Sequence, residues 1–351
     1  MNVKSLLQLM VDKRASDLFF TSYSPVMIKI DGKILPVNKI ELTPKMVRQA
    51  ALELMDESQL EAFTRDLEID FATSEPGLGR FRFNIFHQRG NVAIVIRYIT
   101  QNLPNLDVLG MPEILKDLVM HKRGLILMVG AAGSGKSTTL AAMIDHRNRN
   151  SASHVLTIED PIEFLHSNQK SIVNQREVGL DTRSYSSALR SAMREAPDLI
   201  LVGEIRDRET MEAVLHLAGS GHLCIATLHA NNSPETLDRI INMFPHDQHA
   251  QVLMDVSQYL RAVISQRLVR AKDGKRVAAV EVMLNTPFLA EKILKGDIAD
   301  VKEAFADTSE PGMQSFDDAL FRLYTTGVVA MEEALSNADS RSNLEAKINF
   351  G

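Results

Sequence analysis

The octapeptide Gly130-Ala131-Ala132-Gly133-Ser134-Gly135-Lys136-Ser137 constrains the fold more than any other stretch of the chain. It follows the apolar run Leu125 to Val129 and leads into residues with helical spacing. The complete G-x-x-x-x-G-K-[ST] pattern between a strand and a helix is a phosphate-binding loop, a stronger signal than a glycine-rich turn alone. Its glycines let backbone N–H groups turn inward around phosphate oxygens, and the helix that follows adds the positive end of its dipole. Lys136 is placed to reach the β- and γ-phosphates of ATP, and the Ser137 hydroxyl to ligate Mg2+. Gly130, Gly133, Ser134, Gly135 and Thr138 complete the nucleotide-binding set.

The pattern around the loop predicts the rest of its domain. Apolar runs at Leu125–Val129, Val155–Ile158, Leu199–Val202 and Leu223–Leu228 alternate with helical stretches. Continuous apolar strands imply a sheet buried on both faces, hence a parallel α/β core. Ligands in such sheets gather at the carboxyl ends of the strands. Glu204 follows one run there, and the cluster Glu159-Asp160-Pro161-Ile162-Glu163 follows another. An acid after one strand is ordinarily a helix cap. Two acid-tipped strands beside a complete phosphate loop reverse that reading, with Glu204 beside the Mg2+ and Glu163 orienting or deprotonating the attacking water. His222 and His229 bracket Leu223–Leu228 at a spacing of seven, which puts them at opposite ends of the strand and not on one metal. His229, with Thr227, falls at the phosphate edge and can sense the γ-phosphate, although a solitary histidine is more often structural. Cys224 reads as core packing. Beyond Pro245 the pattern is mostly helical, with a late strand at Val277–Met283.

The first hundred residues read as a small α+β domain. Val26–Ile30 and Lys33–Val37 flank Asp31-Gly32, a turn pair suited to a hairpin. Thr43-Pro44 opens a helix to about Leu54, and a shorter one covers Glu57–Phe63. Phe81, Phe83 and Ile85 alternate with Arg80, Arg82 and Asn84, giving one apolar and one basic face. After a turn at Arg89-Gly90-Asn91, a strand over Val92–Ile99 carries Arg97. Ser5 is expected to cap an N-terminal amphipathic helix, which reads as no signal peptide. With 351 residues, two domains are expected: residues 1–100, a linker over 101–112 around Pro104, and 113–351. The single cysteine excludes a disulfide framework and a cysteine-cluster zinc site. A net charge of −6 and the lack of an aromatic stacking platform speak against nucleic acid as a partner, and so against a helicase. No run approaches the ~18–20 apolar residues of a membrane span, so a cytoplasmic location is expected.

In order and spacing the four elements resemble the Walker A, Asp box, Walker B and His box of the type II/IV secretion ATPase superfamily. Ala15-Ser16-Asp17-Leu18, Gly79 to Asn84 and Gly312-Met313-Gln314 are similar to its pilus-retraction branch. The resemblance implies a PAS-like N-terminal domain followed by a RecA-like ATPase domain with C-terminal helices, assembled as a homohexamer. It implies Glu163 as the water-activating carboxylate, Glu204 as the Walker B acid, and His222 and His229 as the His-box pair. Arg80, Arg82 and Arg97 would then approach the nucleotide phosphates as a charge clamp, closed by movement at the linker. By default such an arginine row is only a solvated face.

Two departures from the retraction pattern stand out. Phe288-Leu289-Ala290-Glu291-Lys292-Ile293-Leu294-Lys295 lacks the two arginines of the Ala-Ile-Arg-Asn-Leu-Ile-Arg-Glu motif, and Arg194-Glu195-Ala196-Pro197-Asp198 carries alanine where aspartate is usual. The tail reads as an acidic helix from Met331 to Leu335 and on to Phe350. These features resemble the PilU type of accessory retraction ATPase, which implies a PilT-type motor and a PilC-type inner-membrane platform as partners, and twitching motility as the output. An autonomous PilT-type motor and a weakly hydrolysing scaffold are the alternatives. Extension and type II secretion ATPases carry a longer N-terminal region and a tetracysteine zinc loop, which one cysteine cannot supply.

Overall fold

The computed structural model describes residues 3–30, 32–99, 103–306 and 310–350. The chain forms two compact units, Met1–Asn102 with Glu163–Leu165, and Leu103–Ile162 with His166–Gly351.

The first unit is built on six antiparallel strands: β1 (Asp17–Phe20), β2 (Met27–Ile30), β3 (Lys33–Pro36), β4 (Glu68–Glu75), β5 (Gly79–Gln88) and β6 (Asn91–Ile99). Their spatial order is β3-β2-β1-β6-β5-β4. Period-two alternation decides the faces, as expected. Phe81, Phe83 and Ile85 are buried and join Leu7 and Met10 of the helix Val3–Asp12 and Val47 and Ala50 of the helix Pro44–Leu54 in one core. Thr43 caps the second helix by accepting from the Met46 amide, while Pro44 fills the first turn, where its missing N–H costs nothing. The helix Val3–Asp12 begins two residues before Ser5, so Ser5 lies within its first turn and is not its cap. In the expected β2–β3 turn, Asp31 lies outside the described residues and Gly32 holds φ +78°.

The opposite face carries the arginines, and it is paired. Arg82 on β5 stands opposite Arg97 on β6, which stands opposite Asp17 on β1, itself opposite Lys29 on β2. The Arg97 Nε donates to the buried Asp17 carboxylate at 2.9 Å, and Lys29 lies 3.9 Å from it. Arg82 makes a two-pronged pair with Asp70 of β4. The basic stripe is therefore laced with acids from β1 and β4.

The second unit holds β7 (Gly124–Val129), β8 (His154–Glu159), β9 (Ile172–Glu177), β10 (Leu199–Val202), β11 (Leu223–Leu228), β12 (Leu260–Arg270) and β13 (Arg276–Leu284). The sheet order is β13-β12-β7-β11-β10-β8-β9, parallel throughout except for the β12–β13 hairpin. β7, β10 and β11 are buried along their whole length, as strands covered by helices on both faces must be. Residues 103–112, expected as linker, belong to this unit, and Leu106 packs with Leu115 and Leu118.

Four strands correct the reading of the sequence: β1, β4 and β9 were not expected, and β12 replaces part of the supposed helical region after Pro245. The acidic tail is also not one helix: it breaks between Met331–Ser336 and Arg341–Phe350. The break is held by polar contacts. Arg267 of β12 donates to the Asn337 carbonyl and pairs with Asp339, while the Asp339 and Ser340 amides donate to the Asp317 carboxylate.

Candidate active site

The strand order brings four carboxyl ends side by side at one edge of the second sheet. Along that edge run the phosphate loop after β7, His229 after β11, Glu204 after β10 and Asp160 after β8. In sequence these elements lie up to a hundred residues apart; in the sheet each is ~4.8 Å from the next.

β7 ends at Val129, and the helix Lys136–Asn150 begins seven residues later. Gly130, Gly133 and Gly135 hold φ of +141°, +76° and +89°, values that side chains with a Cβ rarely adopt. At Gly130 space decides as well: a Cβ would lie 2.4 Å from the Gln266 carbonyl oxygen and 2.8 Å from the Ser134 Oγ. Lys136 Nζ donates to the Gly130 and Ala131 carbonyls at 2.7 and 2.9 Å, so its ammonium stands over the loop. The Ser134 hydroxyl is buried with no hydrogen-bond partner among the described residues. A concave run of amides, an ammonium and an orphaned hydroxyl fit a phosphate group. Ser137 and Thr138, both partly exposed, occupy the first turn of the helix. Beside that turn opens a cavity of about 880 Å3, lined in part by Val108, Met111, Thr138, Leu268, Lys272 and Arg276. Its wall is part apolar and part charged, with Asp273 among the cations, and suits a nucleoside.

Two strands along the same edge, Glu204 faces two partners, one on each carboxylate oxygen. Its Oε1 lies 2.7 Å from His229 Nε2, and its Oε2 accepts from Arg206 Nε at 2.7 Å. Arg206 also reaches Asp160 at 3.4 Å. The pair with Glu204 holds the Arg206 pKa above the ordinary guanidinium value. Thr227 donates to the Gly203 carbonyl and Ile205 N to the Thr227 carbonyl, which stitches the end of β10 to β11. Gly203 must be glycine, because a Cβ there would approach the Tyr185 hydroxyl to 2.9 Å and Glu159 Cα to 3.1 Å. Burial, reinforced by Asp160, pushes the Tyr185 phenol well above its usual pKa and keeps its proton in place.

His229 therefore joins Glu204, a contact that its place at the end of an apolar run did not by itself give. His222 sits at the other end of β11, where Nδ1 contacts the Ser220 hydroxyl and the Leu217 carbonyl, and its own carbonyl accepts from the Gly124 amide at the start of β7. Within this chain it is a strand length, ~20 Å, from the phosphate edge. Glu163 is exposed and groups with the first unit, as do Arg80, Arg82 and Arg97. Cys224 is core packing, and burial pushes its thiol up to about 12.

The sequence reading missed a polar cluster on β12 and β13. Glu281, nearly fully buried, accepts from the Ser233 amide, the Ser233 hydroxyl and the Ser265 hydroxyl at 2.7 to 2.9 Å. Burial raises its pKa, and these three donors oppose the rise. It ties the segment just after His229 to the β12–β13 hairpin. The signal was a glutamate inside the expected strand Val277–Met283.

Residues 2–310 match the type II/IV secretion system protein family. The type IV pilus ATPase PilU of Pseudomonas aeruginosa is 49% identical over 352 residues, covering all of this chain and 92% of that protein. The type IV pilus retraction ATPase PilT of the same organism is 41% identical, with 98% of this chain and all of that protein covered. A crystal structure of the pilus retraction motor PilT with bound ADP superposes with a TM-score of 0.92 at 38% identity, over 98% of this chain and 99% of that one. The fold and its phosphate edge define a secretion-type P-loop ATPase. The chain belongs to the type II/IV secretion system protein family, on its PilT/PilU branch.

Proposed function

We propose that the chain works as a hexameric motor that assists a PilT-type ATPase in retracting type IV pili, and so supports twitching motility. The observation that carries this reading is the phosphate loop and the Glu204–His229 pair on one sheet edge, in a chain alike to PilU along its whole length.

ATP binds with its phosphates in the Gly130–Ser137 loop and its nucleoside in the cavity beside Thr138 and Leu268. Lys136 moves from the loop carbonyls to the phosphate oxygens. Among the described residues no group of three or more His, Cys, Asp and Glu is placed to hold a metal. The Ser137 hydroxyl would hold Mg2+, and Glu204, engaged here by His229 and Arg206, would hold it directly or through water. The ion supplies charge neutralisation at the developing phosphate anion. His229 orients Glu204 and senses the γ-phosphate. Glu163 takes a proton from the attacking water, and Arg80, Arg82 and Arg97 close on the phosphates as the two units move. A PilC-type platform is the proposed contact with the membrane; no helix among the described residues is long and apolar enough to cross one.

The experiment is pilus retraction in cells deleted for the gene and complemented with wild type or Lys136→Ala, with PilT present and absent. Retraction under load restored by wild type only when PilT is present supports the assisting role. Retraction without PilT supports the second reading, an autonomous motor, which the 41% identity to PilT favours. Equal retraction with Lys136→Ala and wild type overturns both.

A further inference from the structure

Gln266 lies in the middle of β12 and is 2% exposed, an unusual place for an amide that must satisfy four hydrogen-bonding sites. Its partners are all in the phosphate loop and the helix behind it. Nε2 donates to the Ser134 carbonyl at 2.8 Å, and Oε1 accepts from the Thr139 hydroxyl at 2.8 Å. The orientation of the amide is fixed by chemistry, because the Ser134 carbonyl can only accept. The register explains the reach. Ser265 stands opposite Val129, so Gln266 lies alongside Gly130, the first residue of the loop. A Cβ on Gly130 would meet the Gln266 carbonyl oxygen at 2.4 Å, and one on Gly135 would meet its Nε2 at 2.8 Å. One side chain and its own carbonyl thus bear on Gly130, Ser134, Gly135 and Thr139.

The bond to Ser134 has a consequence for the ligand. In a trans peptide the C=O and the following N–H point in opposite directions. Holding the Ser134 carbonyl against β12 turns the Gly135 N–H away from β12. That amide belongs to the set that must face the phosphate oxygens. Thr139, one turn into the helix, locks the other end of the Gln266 amide and ties the helix N-terminus to the same strand. A loop with three glycines at positive φ has many conformations open to it. Without an external brace it would have to be ordered each time phosphate binds.

We infer that Gln266, outside the phosphate-loop motif, is a positioning residue: it presets the Ser134–Gly135 peptide for phosphate before nucleotide arrives. The inference rests on the loop holding a nucleotide. It also accounts for a buried amide at the centre of β12. Gln266 touches no reacting atom, so its loss should weaken binding and spare the chemical step.

The test uses the purified full-length protein, with fluorescent mant-ADP for affinity, steady-state hydrolysis for KM and kcat, and thermal melting for stability. Gln266→Met keeps the volume and removes both hydrogen bonds. It is expected to raise the mant-ADP Kd and the ATP KM about tenfold and to leave kcat within about threefold. Thr139→Val removes one of the two bonds and is expected to raise Kd about threefold. The double variant should bind no more weakly than Gln266→Met alone, because both changes break one bridge. An unchanged Kd and KM in Gln266→Met, whatever the melting temperature does, overturns the inference and leaves Gln266 a packing residue. A fall in kcat at constant Kd also overturns it. Where Gln266→Met does not fold, the same criteria apply to Thr139→Val. Wild type that fails to bind mant-ADP, or Lys136→Ala that binds it as tightly as wild type, removes the nucleotide reading itself and is distinguishable from both.

Discussion

The phosphate loop and the acid–histidine cluster share one sheet edge but are held by different means. The loop is shaped by backbone: glycine dihedrals, the end of a buried strand and the first turn of a helix. The cluster is shaped by side-chain pairs: Glu204 sits between His229, from the end of β11, and Arg206, two residues on in its own segment, and Arg206 also leans on Asp160. A backbone cradle braced by the uncharged Gln266 amide keeps its form whatever the protonation state. A set of charge pairs can be re-partnered when a metal, a phosphate or a water enters. The loop is thus suited to holding nucleotide and the cluster to responding to it, which predicts that damage to the two will separate binding from turnover.

The largest effect should come from the loop. Lys136→Ala removes the ammonium over the phosphates and is expected to lower hydrolysis by a hundredfold or more, with mant-ADP affinity falling alongside. Hydrolysis near the wild-type rate would break the comparison at its stronger end. Glu163→Gln should cut kcat by roughly a hundredfold, the usual worth of a general base, while Kd stays within about twofold. A parallel loss of affinity would place Glu163 with the binding groups. His229→Ala frees one oxygen of Glu204 and leaves Arg206 on the other. About a tenfold fall in kcat with unchanged Kd is expected, and a fall in Kd-limited binding alone would assign His229 to the loop side.

The smallest effect concerns the scaffold behind the cluster. Burial lowers the His166 pKa from its ordinary 6.5 to about 4, and its backbone amide is held by Gln175 of β9. A base depressed in the folded state is protonated first in the unfolded one. Stability should therefore be full above about pH 6.5 and decline as pH falls towards 4. The decline should amount to roughly 1–2 kcal/mol between pH 7 and pH 5. In His166→Phe, urea titrations at the two pH values should lose most of that difference, and an equal slope in both proteins would place the pH response elsewhere.

The same contrast explains how much could be seen in the sequence. The loop was legible because its chemistry is contiguous: eight residues state the glycines, the lysine and the hydroxyl together. Glu204 and His229 were legible as polar residues at the ends of apolar runs, since a parallel sheet puts those ends on one edge. Their mutual contact was not, because it depends on β11 lying between β7 and β10, which no local pattern encodes. β12 was hidden by its own function. Ser265, Gln266 and Arg267 interrupt its apolar run, and each is buried or half-buried against a specific partner: Glu281, the phosphate loop and the tail. A polar residue inside a buried strand blurs the pattern that identifies strands. The arginine face was visible in the β5 alternation, yet its pairing was not, because Asp17 and Asp70 come from β1 and β4, strands too weakly patterned to place. The break in the tail escaped for a similar reason, since it is held by Arg267 and Asp317 and not by a helix-stopping residue.

One measurement addresses the division of labour most directly. Mant-ATP affinity and single-turnover hydrolysis are compared in wild type and Glu204→Gln, a change that removes the charge facing His229 and Arg206 while keeping the shape. The account predicts a Kd within about twofold of wild type and hydrolysis reduced by roughly a hundredfold. Turnover at the wild-type rate, or loss of binding comparable to Lys136→Ala, would contradict it.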